Sequence, residues 1–90
     1  MSKYVSKEDI NDGIFELGYE NIKKISAKFW DRHKKDKLGN KKSIYRANVE
    51  FVTKDGNKKY LCSDNYKSEQ GALKACTRTN ERILEVLGEW

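Results

Sequence analysis

Proline is absent from this chain, histidine occurs once and cysteine twice. Cys62 and Cys76 lack the short spacing of a metal-binding or redox pair. Both therefore read as small buried hydrophobes in a reducing compartment. The single His33 has no second histidine, cysteine or acidic ligand at metal spacing, so it reads as a solvent-exposed spectator. No glycine-rich phosphate loop, nucleophile elbow or other catalytic motif occurs. The carboxylates cluster on helix surfaces and first turns, where capping and solvation account for them. These absences argue against an enzyme, a metal site or a cofactor. No apolar run approaches the roughly 20 residues of a membrane span, and the N-terminus lacks the apolar core of a secretory signal. The expectation is a cytoplasmic protein with no membrane association. No repeat, linker or low-complexity tract divides the chain, so residues 1–90 read as one small domain.

Positive charge is plentiful, and it is concentrated. From Ile22 to Arg46 the chain holds ten basic residues against Asp31 and Asp36, a net +8. The preceding residues sum to −3, and the two later segments, Ala47–Tyr66 and Lys67–Trp90, are each neutral. A basic segment set in an otherwise acidic-to-neutral chain is an electrostatic footprint for a polyanion.

Apolar periodicity divides the chain into two helices and three strands. Ser6 is a natural N-cap with Glu8 and Asp9 in the first turn, and Val5 and Ile10 occupy the positions of a hydrophobic staple. Ile10, Ile14 and Leu17 make a helical stripe that Phe15 widens. Gly13 weakens the helix interior, and Gly18 ends it. Ile25, Ala27 and Phe29 alternate with Ser26, Lys28 and Trp30 as a half-buried strand. Asp31–Lys42 carries six basic residues and one aliphatic residue, Leu38, and reads as a mobile loop of about a dozen residues. Tyr45, Ala47, Val49, Phe51 and Thr53 mark the second strand. Asp55-Gly56 is a tight turn, and Lys58–Ser63 returns as the third strand, with Tyr60 opposite Phe51 and Cys62 opposite Val49. A second helix starts at Ser68 and buries Ala72, Ala75, Cys76, Thr79, Ile83, Val86 and Leu87. Gly88 caps it, and Trp90 can fold back on its end. The fold class is α+β: a three-stranded antiparallel sheet packed against two helices, in the order α-β-β-β-α.

The pleat then predicts which side chains are free to bind. One sheet face goes to the helices. The other carries Lys24, Lys28, Trp30, Arg46, Asn48, Glu50, Lys59 and Leu61. Together with Arg32, Lys34, Lys35, Lys37, Lys41 and Lys42 of the basic loop, and Lys67 before the last helix, these supply phosphate attraction, a stacking surface and directional hydrogen bonds. The expected function is a non-enzymatic nucleic-acid-binding module.

The element order, the basic loop with His33 between the first two strands, and Lys67 and Lys74 around the last helix resemble a double-stranded-RNA-binding domain. That resemblance implies contact through the first helix, the histidine-bearing loop and the start of the last helix. Here YKSEQGALKA stands where that family has a lysine cluster. IYRANVEF, the Asp55-Gly56 turn and YKSEQGALKA are similar to the AP2 and integrase N-terminal DNA-binding domains, which implies DNA contact through the exposed sheet. The N-terminal helix is extra to that pattern. A different class stays open: a small phage- or mobile-element-type protein that binds and inhibits a host protein, docking the basic hairpin on an acidic surface with Trp30, Ile44, Val52 and Leu61 as anchors. Either way the chain reads as a monomer or weak dimer.

Overall fold

The computed structural model describes residues 4–90. Helix α1 spans Lys7–Leu17, and Ser6 caps it as expected: its Oγ accepts the Asp9 N–H at 3.1 Å. A short 3-10 turn at Tyr19–Asn21 leads into β1 (Ile22–Lys35), followed by β2 (Lys41–Thr53), β3 (Lys58–Leu61) and α2 (Glu69–Gly88). Ser68 caps α2 by accepting the Gly71 N–H at 3.1 Å. The strands form one antiparallel sheet in the order β1-β2-β3. The architecture is therefore the α+β arrangement α-β-β-β-α that the periodicity predicts. Among the described residues no helix is long and apolar enough to cross a membrane.

Central strand β2 supplies the floor of the core. Ala47, Val49 and Phe51 are fully buried, the last two in one cluster with Ile10 and Ile14 of α1 and Ile83 and Val86 of α2. Burying a side chain such as Phe51 is worth about 1.5–3 kcal/mol. Gly13 is part of this packing rather than a weak point. A Cβ there would lie 2.7 Å from Phe51 Cζ, so the missing side chain is the slot that the ring occupies. With Gly13 counted in, the buried stripe of α1 is Ile10, Gly13, Ile14 and the half-buried Leu17. Phe15 falls outside it and is 80% exposed, against expectation. Helix α2 buries the expected stripe, with Cys76 and Leu87 partly covered, and it continues through Gly88 to a cap at Glu89. Trp90 folds back, stacking on Tyr19 at 5.6 Å between ring centroids and donating its Nε1–H to Asn11 Oδ1 at 2.7 Å.

Both hairpins close with the same turn. In Asp36-Lys37-Leu38-Gly39-Asn40, the Asp36 N–H donates to Asn40 O at 2.8 Å and the Gly39 N–H to Asp36 O at 3.0 Å. In Thr53-Lys54-Asp55-Gly56-Asn57, the Thr53 N–H donates to Asn57 O at 2.9 Å and the Gly56 N–H to Thr53 O at 3.0 Å. Gly39 and Gly56 take φ values of +82° and +90°, the left-handed position of a three-residue hairpin loop.

This turn corrects two expectations. A three-residue loop shifts the pairing by one relative to a two-residue loop, and a one-residue shift exchanges the faces of a strand. Glu50 thus faces Tyr60, Phe51 faces Lys59 and Val49 faces Leu61. Lys59 and Leu61 lie on the helix side, while Tyr60 and Cys62 lie on the open side, where Cys62 is exposed. The second correction concerns the basic segment. The ladder of β1 and β2 runs without a gap to Lys35 opposite Lys41, so the expected loop at Asp31–Lys42 is mostly strand with a tight tip. Strand β3 pairs only with Val49–Val52, and one isolated bridge joins Tyr45 to Tyr66. Beyond it the hairpin continues as a two-stranded arm, and the molecule measures 49 × 27 × 17 Å.

Candidate nucleic-acid interface

Strand register sorts the side chains into two faces. On the face away from the core, β1 presents Lys24, Ser26, Lys28, Trp30, Arg32 and Lys34. Opposite them β2 presents Val52, Glu50, Asn48, Arg46, Ile44 and Lys42, and β3 adds Lys58 and Tyr60. Seven of these are basic and one, Glu50, is acidic. Glu50 already accepts the Tyr60 hydroxyl hydrogen at 2.7 Å, which together with burial and its charge pushes the Tyr60 phenol pKa up. From Lys24 to Lys34 the row spans roughly 33 Å at the usual rise of a strand.

The middle of this face is ordered by side-chain contacts. Trp30 and Arg46 are cross-strand partners, and the Arg46 guanidinium carbon lies 4.6 Å from the Trp30 ring centroid, a cation–π contact. Arg46 Nε–H also donates to Asn65 Oδ1 at 2.7 Å. Asn48 is only 7% exposed, and its Oδ1 accepts the Ser63 N–H at 3.3 Å, so it fastens the chain after β3 rather than presenting an open amide. Lys28, Trp30, Arg46, Asn48, Tyr60 and Cys62 line an open groove of about 460 Å³.

Toward the tip, charge meets charge. Lys34 faces Lys42 on the open face, and Lys35 faces Lys41 on the other; like charges directly opposite destabilise a ladder. Lys37 sits in the turn, and Leu38 beside it is 87% exposed. The tip's one carboxylate, Asp36, uses its Oδ1 to accept the N–H groups of Leu38 and Asn40 at 2.9 and 2.8 Å. Among the described residues none of these lysines, nor Arg32 or Arg46, makes an ion pair.

The helix-side face of the arm carries a polar cluster that composition did not reveal. His33 is exposed, as expected, but it has partners. Its Nε2 lies 2.9 Å from Asp31 Oδ2 and its Nδ1 2.8 Å from Ser43 Oγ, and its ring meets the Tyr45 ring edge-on at 5.9 Å. When Nε2–H donates to Asp31, a neutral ring accepts the Ser43 hydroxyl hydrogen at Nδ1. The residue types are those of a hydrolytic triad, but a triad's acid and base are desolvated. The His33 and Asp31 side chains are 58% and 48% exposed. They act here as a hydrogen-bonded brace across β1 and β2. No third metal-ligating side chain joins them among the described residues.

The structure gathers Lys24, Lys28, Trp30, Arg32, Lys34, Lys42 and Arg46 on one face, with Lys35, Lys37 and Lys41 around the tip. It removes Lys59, which lies on the helix side and pairs with Glu16 of α1. Lys67 is exposed just before the cap of α2, outside the sheet rows. Tyr60, Lys58 and Asn65 belong to the face and are missed by the sequence pattern. The first two would follow from the turn length; Asn65 has no sequence signal. Compared with known families, curated proteins and solved structures, the chain matches none significantly.

Proposed function

We propose that the protein is a non-enzymatic nucleic-acid-binding module that engages phosphates with its β1–β2 arm and the adjoining open sheet face. One observation carries this reading: the arm bears cations on both faces and at its tip, with no acidic partner among the described residues. Facing lysine pairs lower the stability of the isolated ladder, and a polyanion relieves that repulsion while releasing its own counterions. A flat neutral surface relieves nothing. The test is titration of labelled duplex DNA, duplex RNA and single strands at low salt. Neutralising about four phosphates predicts a log–log salt slope of roughly −3 to −4 on duplex DNA. Replacing Lys34, Lys35, Lys41 and Lys42 with Gln should remove most of the affinity and flatten the slope while leaving the circular dichroism unchanged.

The exposed Leu38 at the cationic tip favours one other reading, docking of the arm into an apolar pocket rimmed by acids on a protein partner. Absence of binding to every nucleic acid at low salt would decide for that reading.

A further inference from the structure

The cations of the open face divide into two kinds. Lys24, Lys28, Arg32, Lys34, Lys42 and Lys58 are exposed side chains on flexible stems. Arg46 is held at two points: its guanidinium carbon lies over the Trp30 ring, 4.6 Å from the centroid, and its Nε–H is used by Asn65 at 2.7 Å. Asn65 is in turn part of a segment fastened to β2 on both sides. The Ala47 N–H donates to Ser63 Oγ at 2.9 Å, the Ser63 N–H to Asn48 Oδ1 at 3.3 Å, and Tyr45 and Tyr66 exchange backbone bonds of 3.2 and 2.7 Å. The two terminal amino groups of Arg46 have no partner among the described residues.

A guanidinium held at two points, with its two terminal amino groups left over, matches a ligand edge offering two adjacent acceptors. A phosphate provides such a pair, as does the O6/N7 edge of guanine. Phosphates are met adequately by mobile lysines, which surround Arg46 on this face and need no fixed geometry. Fixed geometry matters where the acceptors belong to a base. The groove beside Arg46 is flanked along the strands by cations able to track the two backbones. A sheet ribbon fits the roughly 12 Å wide major groove of B-form DNA, whereas the A-form major groove of RNA is too narrow for side chains to read.

We propose that Arg46 is a specificity-determining residue that reads a guanine in the major groove of duplex DNA, and that Asn65 is the positioning residue that aims it. This rests on the nucleic-acid reading above. Selection from a randomised DNA duplex library tests it, using the full chain and the variants Arg46→Lys, Asn65→Ala and Asn65→Asp. The wild-type chain should enrich guanine at one position, and 7-deazaguanine placed there should weaken binding roughly tenfold, within the range of one bidentate base contact. Asn65→Ala and Arg46→Lys should lose that enrichment, their affinity for the guanine-bearing duplex falling by several-fold more than their affinity for random duplex, because the lysine phosphate contacts remain. Asn65→Asp keeps the acceptor and should keep the enrichment. Duplex binding without any guanine preference, or a preference that survives in Asn65→Ala, overturns the assignment and leaves Arg46 a phosphate contact. A preference for single strands or for duplex RNA overturns it as well. Failure to bind any nucleic acid at low salt is a different result, and it removes the parent reading along with this one.

Discussion

Gly13 and Phe51 are 38 positions apart in the chain, yet each dictates the other. The ring sits where a Cβ would be, 2.7 Å from its position. Gly13→Ala improves helix propensity by about 1 kcal/mol, but it overfills a packed site at a cost of roughly 1–3 kcal/mol. We expect net destabilisation by urea denaturation, whereas Gly88→Ala, with nothing within 4 Å of the new Cβ, should be neutral or better. A Gly13→Ala protein more stable than wild type would show that Phe51 swings aside freely. Such pairings mark the limit of reading residues in isolation. The caps Ser6 and Ser68 are legible because their chemistry is local, within three residues. Gly13 is not, because its meaning lies on another element. Phe15 lies outside the buried stripe for the same reason: with Gly13 in the stripe, the buried face of α1 centres on Ile10, Gly13 and Ile14. The cysteines separate at this scale too. Cys62 is exposed, while burial pushes the Cys76 thiol pKa up. A thiol reagent at mildly alkaline pH should therefore modify one cysteine quickly and the other slowly; equal rates would contradict the placement of Cys62 on the open face.

At the scale of elements, hydrophobic alternation reports a strand only where one of its faces is buried. Strand β2 from Tyr45 to Thr53 lies under the helices, and its alternation is clear. The same ladder continues past the helices to Lys35 and Lys41, where both faces are wet and nothing enforces a period. Its lysines consequently resemble a loop in the sequence. Turn length was the other hidden variable, since one residue more in the turn after Thr53 reverses the facing of all of β3. The repeated pattern of Lys, any residue, Gly, Asn in the two turns is the sequence signal for both loop lengths. We expect backbone relaxation to find Arg32–Lys35 and Lys41–Ile44 as ordered as the rest of the sheet in the free protein, with faster motion confined to Lys37–Gly39. Large-amplitude motion throughout Asp31–Lys42 would restore the loop.

For the molecule as a whole, the helices hold one face of the sheet and leave its positive charge to the other face and to the arm. Lys34 opposite Lys42 and Lys35 opposite Lys41 then tie two bulk properties to ionic strength with opposite signs. Raising salt from about 10 mM to about 150 mM shortens the screening length from ~30 Å to ~8 Å. That weakens the repulsion across the arm, so the free protein should melt at a higher temperature. The same addition of salt reduces the gain from counterion release, so the complex with DNA proposed above should dissociate. Replacing Lys41 and Lys42 with Glu turns the facing pairs attractive, and the dependence of the melting temperature on salt should then flatten or reverse. The solution that best preserves the protein on the shelf is therefore the one in which the proposed complex is weakest.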